Sequence, residues 1–288
     1  MNLKNRDFVV AYALGGILFL VTGWIYWDYF QPPWKEYQSG FQALMTKQFG
    51  SARQVPTGIQ QIWAEDLNRV DRCVTCHLGM EYDGLENAPN PYRTHPKAIL
   101  KQHPISRFGC TICHGGEGYA TDLKAAHAMS VQDWDEPLLY SEIGKTYQID
   151  PPQAVLQINC NLCHRYDKQT EGADIINYAK QVVQDKRCVA CHKINGQGGV
   201  IGPDLTYVGD RSPEHFDYTH VLGRQTVFSW HLAHFENPKA VSPETLMPNF
   251  SLGSRETRAL AMLMLSWRQM NLPGSYVPAP KAVEATPP

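Results

Sequence analysis

The sequence predicts a mainly α-helical chain with much irregular structure. One N-terminal transmembrane helix precedes an irregular segment and then a helical one. Three observations carry this prediction. An apolar run without charge occupies residues 8–27, prolines and glycines interrupt the chain from 91 to 152, and apolar patterns of helical period return between 175 and 270. We therefore divide the chain into five parts, which are 1–31, 32–70, 71–168, 169–273 and 274–288.

The first part, 1–31, has the composition of a membrane anchor. Its run FVVAYALGGILFLVTGWIYW, residues 8–27, holds no charge over 20 positions, which is the length that a helix needs to cross the hydrocarbon core. Lys4 and Arg6 precede the run and the next cation is Lys35, so the positive-inside rule predicts a cytoplasmic N-terminus. A cleaved signal peptide is the alternative, but the run is longer than usual and ends in bulky aromatic residues rather than at a small-residue cleavage site.

The second part, 32–70, is predicted to be a connector. Pro32 and Pro33 end the first helix, and two weakly helical pieces follow. Helical spacing in the second piece is shared by Ile59, Ile62, Trp63 and Leu67. This spacing predicts a helix with one apolar face.

All eight cysteines of the chain fall into four Cys-x-x-Cys-His motifs. The cysteine pairs are Cys73 and Cys76, Cys110 and Cys113, Cys160 and Cys163, and Cys188 and Cys191, and the histidines that follow them are His77, His114, His164 and His192. Cysteine pairs of this spacing also bind zinc or cycle as redox disulfides. With 11 histidines in 288 residues, a histidine follows all four pairs by chance about two times in a million, whereas c-type heme attachment requires it.

The motifs therefore predict four covalently bound heme c groups. In this chemistry the two thiols become thioethers to the porphyrin, and the adjacent histidine becomes the proximal iron ligand. The propionates of the hemes make the folded protein more acidic than its formal charge of −2, which argues against nucleic acid as a ligand. Bacteria attach c-type heme on the outer side of the cytoplasmic membrane, in agreement with the predicted topology.

The third part, 71–168, holds three of the motifs within about 90 residues. The prolines and glycines between the motifs exclude long regular elements. We therefore expect a compact triheme module in which the chain wraps around closely spaced porphyrins. Close spacing is also what electron transfer needs.

Three further histidines of the triheme module, His95, His103 and His127, are candidates for distal iron ligands. The first two each precede a proline, which disfavours helix at the histidine and suits a helix's first turn, so residues 97–102 are predicted to form a short helix between them. At helical rise these two histidines lie about 12 Å apart and cannot bind one iron. Three hemes then have three candidate ligands, and a surface or propionate-bound position is the alternative for each histidine.

The fourth part, 169–273, has a different build. An amphipathic stretch is followed by the fourth motif, by GGVIGPDLTYVGDR, by LMPNF and by SRETRALAMLMLSWRQM, a final helix with Ser254 as its predicted N-cap. The amphipathic stretch places five apolar residues at helical spacing, namely Ile175, Ile176, Ala179, Val182 and Val183. By this order of motifs, over about 100 residues, the segment closely resembles the class I cytochrome c family, a monoheme helical domain.

This resemblance implies the ligands of the fourth heme. His192 would be the proximal ligand, Met247 the distal ligand, and Pro203 the residue whose carbonyl orients the His192 ring. A thioether ligand raises the heme potential relative to a second histidine. Core packing is the alternative for Met247 and the expected role of Met262 and Met264.

Four histidines between His192 and Met247 depart from the family pattern, and they are His215, His220, His231 and His234. The segment SWHLAHFENP places two of them on a predicted helix. A packing or solvated role is the default for each, and replacement of Met247 or contact with a neighbouring heme is the alternative.

The whole chain resembles the membrane-anchored cytochrome c subunits of bacterial cytochrome bc-type quinol-oxidising complexes. The resemblance implies cytochrome b and a Rieske-type protein as partners, and a soluble or membrane-bound cytochrome c or an oxidase as electron acceptor. It also implies a single-pass protein of the cytoplasmic membrane with periplasmic heme domains and no substrate chemistry of its own. The proline-rich tail, 274–288, is predicted to be a disordered end or a strap along a partner.

A stand-alone tetraheme quinol dehydrogenase that feeds a periplasmic reductase is the alternative function. Such proteins also have one N-terminal span and four motifs. They lack a class I domain, however, and carry a methionine two residues after the motif histidine, whereas Met80 lies three residues after His77. A catalytic reductase needs an open iron position, and one distal ligand for each heme argues against it. A heme-based sensor is the least favoured class, since the sequence shows no signalling domain.

Overall fold

A computed structural model describes residues 5–50, 55–127 and 138–278. The helices are α1 (Asn5–Phe30), α2 (Trp34–Phe49), α3 (Lys97–Gln102), α4 (Ile105–Phe108), α5 (Thr111–His114), α6 (Leu123–Ala126), α7 (Ser141–Thr146), α8 (Gln157–Cys163), α9 (Asp174–Asp185), α10 (Val227–Glu236), α11 (Pro238–Val241) and α12 (Ser254–Ser266). The strands are β1 (Ile62–Ala64), β2 (Arg69–Asp71), β3 (Lys193–Ile194) and β4 (Gln197–Gly198). The fold is mainly helical with irregular regions, as predicted.

The chain divides into two compact units. Unit 1 consists of Met1–Thr111 and Gly116–Pro137, and unit 2 of Ile112–Gly115 and Leu138–Pro288. The short helix α5 contains residues of both units. Most of the proline-rich tail, 279–288, lies outside the described residues, and so does Lys4 of the topology argument.

The first helix, α1, is long and apolar enough to cross a membrane, and within the described part of the chain it is the one helix that is. All of its residues are exposed. Because exposed apolar surface is unfavourable in water by about 25 cal/mol for each Å², a helix of this kind favours a lipid environment. The helix predicted over 8–27 is thus confirmed, and Pro32 and Pro33 separate it from α2 as expected.

The core of unit 1 forms around one face of α2. Phe41 and Met45, one helical turn apart, are fully buried. The rings of Tyr82 and Tyr92 pack on Phe41, with centroid distances of 5.4 and 5.6 Å. The loop that follows the first Cys-x-x-Cys-His motif therefore packs on α2.

A buried glutamine of α2 binds the chain on the other side of this motif. The Gln38 amide donates to the carbonyls of Gly58 (2.6 Å) and Thr75 (3.1 Å) and accepts the Gly58 N–H (3.0 Å). The Thr75 hydroxyl in turn bonds with the backbone of Gln60. Because Thr75 lies inside the first motif, these hydrogen bonds fix the position of that motif on α2.

Residues 62–71 form a β-hairpin, so the helix predicted from the apolar spacing between 59 and 67 was wrong. Strand β1 pairs antiparallel with β2, and Asn68 closes the turn at a φ of 49°, a left-handed conformation that asparagine tolerates. Trp63 is 62% exposed, so its side chain does not contribute to a buried face. Tertiary contacts decided the outcome, because Asp71 at the end of β2 is buried and accepts backbone N–H groups from the second motif.

The centre of unit 2 is α12, which packs on α8, α9 and α10. Its residues from 259 to 264 are all buried, and these include Met262 and Met264, whose predicted core packing is confirmed. The helix begins at Ser254, and its N-cap is Gly253, whose N–H donates to Glu256 Oε2 at 2.7 Å. The predicted N-cap, Ser254, was therefore wrong by one residue.

The helix α9 lies where the amphipathic spacing predicted it. Its buried residues are Ile176, Ala179, Val182 and Val183. This apolar face packs on α12 within the core of unit 2. The two-residue strands β3 and β4 form a small hairpin directly after the fourth motif.

Candidate heme sites

Each Cys-x-x-Cys-His motif lies in a helical turn, either 3₁₀ or α. In three of them the histidine N–H donates to the carbonyl of the first cysteine, from His77 to Cys73 at 2.9 Å, from His164 to Cys160 at 3.1 Å and from His192 to Cys188 at 3.0 Å. The second motif lies in the helical turn α5. A helical turn brings residues three and four apart to one side, so each motif presents two thiols and one imidazole together.

All eight cysteines are free thiols in the structure. Over the residues that the structure describes, no group of three or more histidine, cysteine, aspartate or glutamate side chains is placed to hold a metal ion. A structural zinc site of the ribbon type requires four such ligands around one ion. The described residues do not form such a site.

The ring of His192 is held by the carbonyl of Pro203. His192 Nδ1 lies 2.9 Å from this oxygen, which can only accept, so Nδ1 carries the proton and Nε2 keeps the lone pair that binds iron. The contact expected from the family resemblance is therefore present. Gly202 allows it, since a Cβ at this position would lie only 2.5 Å from His192 Cε1.

The helix α10 and the loop before it add buried polar atoms to this site. Thr226 caps the helix by accepting the Ser229 N–H at 3.2 Å, and the Trp230 ring stacks on His234 with centroids 4.6 Å apart. Four buried side-chain atoms between residues 218 and 234 have no hydrogen-bond partner among the described residues, and they are Tyr218 Oη, Trp230 Nε1, His231 Nε2 and His234 Nδ1.

These unpaired atoms fit a heme beside His192. A buried polar group without a partner costs about 1–3 kcal/mol, and heme propionates supply acceptors for the donors among them. Burial lowers the pKa of His231 to about 3 and that of His234 to about 4, and proximity to His192 lowers the pKa of His234 further. His234 thus lies near His192, the predicted proximal ligand, and is neutral at physiological pH.

The other predicted residues of this segment lie in loops. Met247 is partly buried between α11 and α12, and its N–H donates to Thr245 Oγ1 at 3.2 Å. His215 ends a 3₁₀ turn, and His220 is exposed. The role of Met247 as a distal ligand stays a prediction.

Comparison with known families bears on the same segment. Residues 176–267 match the family described as cytochrome c. The C-terminal part of the chain contains a cytochrome c domain. The match includes the fourth motif, Pro203 and Met247, and it implies a covalently bound heme c and heme-based electron transfer. No curated protein and no solved structure matches the chain.

The third motif lies beside the cytochrome c domain within unit 2, and its histidine is held by a carboxylate. His164 Nδ1 lies 2.7 Å from Asp167 Oδ2, and the Asp167 side chain is 8% exposed. Lys180 of α9 donates to the backbone carbonyls of both residues at 2.9 Å. Sequence reasoning missed Asp167, although an acidic residue one turn after the motif histidine is a signal that could have identified it.

The first cysteines of the first two motifs lie next to each other in unit 1. A hydrogen bond from the Cys110 thiol lowers the pKa of Cys73. The buried carboxylate of Asp71 accepts the N–H groups of Cys110 (2.7 Å) and Thr111 (3.2 Å) and so fixes the start of the second motif. Sequence reasoning missed Asp71 too, because its role depends on a contact across about 40 residues.

The three candidate distal histidines of unit 1 lie at helix ends. His95 and His103 bracket α3, which confirms the predicted helix over 97–102. Their Nδ1 atoms lie 3.2 Å from the carbonyls of Pro96 and Ile99 respectively, so Nε2 is the atom that each offers to a metal. His127 ends α6, and burial lowers its pKa.

Proposed function

We propose that the chain is a membrane-anchored tetraheme cytochrome c that carries electrons on the periplasmic side of the cytoplasmic membrane. The single observation that supports heme attachment at motifs outside the cytochrome c domain is a backbone hydrogen bond that they share with the motif inside it. Outside the cytochrome c domain, His77 and His164 bond to the first cysteine of their motif as His192 does inside it. Residues of the same type in the same turn favour the same chemistry.

Heme supplies a one-electron couple between ferric and ferrous iron when it is bound. The protein's contribution is to hold the imidazole rings and to fill the distal positions, for which we propose His95, His103, His127 and Met247 as ligands. Filled distal positions leave no open iron site for a substrate. This supports an electron-transfer subunit over a catalytic reductase.

We further propose that this subunit belongs to a cytochrome bc-type quinol-oxidising respiratory complex. Its membrane partners would be cytochrome b and a Rieske-type subunit, and its acceptor a soluble or membrane-bound cytochrome c or an oxidase. The support is the combination of a candidate membrane helix with a cytochrome c domain in one chain. Such a chain keeps its hemes near the membrane surface at which quinol is oxidised.

The heme count is tested by intact mass. We expect the purified protein to exceed its 32.5 kDa polypeptide by four heme groups. Replacement of Cys160 and Cys163 by alanine should remove one heme and leave three. Zinc in place of heme, or a mass gain of a single heme, would contradict the proposal.

Membership of a complex is tested separately by purification in mild detergent. Copurification of cytochrome b and a Rieske protein is the expected result. A solitary cytochrome that oxidises quinol by itself would identify the stand-alone quinol dehydrogenase instead. The heme count holds in either case.

A further inference from the structure

The rings of His77 and His127 in unit 1 lie at the separation that two ligands of one iron require. Their centroids are 6.2 Å apart and their planes are inclined by 46°. In a ring with C–N bonds of about 1.33 Å, each nitrogen lies about 1.1 Å from the centroid. If iron binds imidazole at about 2.0 Å, as zinc does, two imidazoles on opposite sides of it have centroids about 6.2 Å apart.

We propose that His127 is the distal ligand of the first heme, whose proximal ligand is His77. The proposal rests on the proposed function, because it presupposes a heme on Cys73 and Cys76. It pairs one of the three candidate histidines with one iron, a pairing that sequence spacing alone leaves open. In sequence His127 is closer to His114 of the second motif, 13 residues before it.

The residue that places His127 near the first motif is Arg72, which directly precedes Cys73. The Arg72 backbone N–H donates to the Gly118 carbonyl at 2.8 Å, and its Nη1 donates to the Tyr119 carbonyl at 2.9 Å. Its guanidinium also lies over the Tyr119 ring, 5.7 Å from the centroid. The segment that follows the second motif is therefore bound to the start of the first.

The loop from Glu117 to Ala126 then places His127 close to the chain at residues 117–119. Asp122 caps the helix by accepting the N–H groups of Lys124 (2.9 Å) and Ala125 (3.1 Å). The Glu117 N–H donates to the Ala126 carbonyl at 3.0 Å and closes the loop. His127 follows directly, at the point where the loop returns to the first motif.

A simple contact between two aromatic side chains also gives centroid distances of about 4.5–7 Å. The two explanations differ in what they predict for the iron. A distal histidine makes the first heme six-coordinate and low-spin, whereas a ring contact without coordination leaves its distal position unaffected by the loss of His127.

The test is His127→Ala in the full-length protein loaded with heme. We expect one of the four hemes to become high-spin and to bind carbon monoxide when reduced, and added imidazole to restore the low-spin state. Absorption and electron paramagnetic resonance spectra report both changes. The matched control is His220→Ala, which removes an exposed histidine of the cytochrome c domain and should leave all four hemes unchanged. No change of spin state in His127→Ala would overturn the proposal.

A second variant covers the case in which His127→Ala fails to fold. His127→Met keeps a ligand at the position but replaces imidazole with a thioether, so one heme should stay low-spin and rise in potential. Four unchanged potentials in a folded His127→Met protein would also overturn the proposal.

The identity of the heme is tested in a protein that lacks the first attachment site, Cys73→Ala with Cys76→Ala. There His127→Ala should produce no high-spin heme, because its partner iron is gone. A new high-spin heme in this background would show that His127 serves another iron, which overturns the pairing while a measured mass of four hemes in the wild type keeps the proposed function. A wild type with fewer than four hemes is a failure of the proposed function, and the mass measurement identifies it separately.

Discussion

At the scale of single residues, two of the motif histidines of unit 2, His164 and His192, differ in the group that holds Nδ1. His192 donates to the neutral carbonyl of Pro203, whereas His164 bonds to the carboxylate of Asp167 at 2.7 Å. A carboxylate raises the basicity of a ligating imidazole, and a more basic ligand stabilises ferric iron over ferrous iron. We therefore expect Asp167 to lower the potential of the third heme.

Asp167→Asn should raise the potential of one heme and leave the other three in place. An effect of about tenfold in the one-electron equilibrium corresponds to about 59 mV, which a spectroscopic redox titration resolves. The control is Glu171→Gln, which removes the same charge from an exposed position four residues away. Equal shifts in the two variants would mean that Asp167 acts only through general charge and not through its bond to His164.

The same scale shows which site residues the sequence could predict. The cysteines and motif histidines were predictable because their chemistry is contained within five consecutive residues. Asp71 was not, since it binds residues about 40 positions away, and only the folded chain brings them together. Asp167 falls between these cases, because it lies within one turn of its partner.

At the scale of elements, a buried hydrogen bond joins the helix of the third motif to the last helix of the cytochrome c domain. Asn161 Nδ2 of α8 donates to Ser266 Oγ of α12 at 2.7 Å, and both side chains are buried. The Ser266 hydroxyl donates in turn to the Leu263 carbonyl at 2.6 Å. The third motif is thus fixed by the same core that supports the fourth.

Ser266→Ala should lower the free energy of unfolding of unit 2 by about 1–3 kcal/mol, because it leaves the buried Asn161 amide without its acceptor. Urea unfolding of the heme-loaded protein measures the change. Ser254→Ala, an exposed substitution at the start of the same helix, should change stability by less than about 0.5 kcal/mol. Similar losses in both variants would show that the α8–α12 bond contributes little.

The elements that sequence predicted share strong local signals. Prolines bracket α3, and four or five apolar residues at helical spacing define α9. The hairpin of β1 and β2 lacked such a signal, because four apolar residues between 59 and 67 fit a helix while burial of Asp71 decided the fold. The local sequence pattern was sufficient to predict an element that buries its own apolar face. It was insufficient for an element whose conformation depends on a polar contact with a distant part of the chain.

At the scale of the whole molecule, the proposed ligands predict the direction of electron transfer along the chain. Histidine on both sides of three irons favours lower potentials than histidine with methionine on the fourth, because a thioether stabilises reduced iron. The bond from Asp167 to His164 should lower the potential of the third heme further. Electrons that enter on the first three hemes should therefore settle on the cytochrome c domain, which is the end from which an acceptor would take them.

Met247→His tests this direction, because it replaces the proposed thioether ligand with an imidazole. A redox titration should show the highest of four transitions lowered and the other three unchanged. The control is Met262→Leu, a fully buried core methionine in α12 whose substitution should leave all four potentials in place. If the highest transition stays in place in Met247→His, Met247 is not its ligand, and the buried His231 and the partly buried His234 of α10 become the candidates.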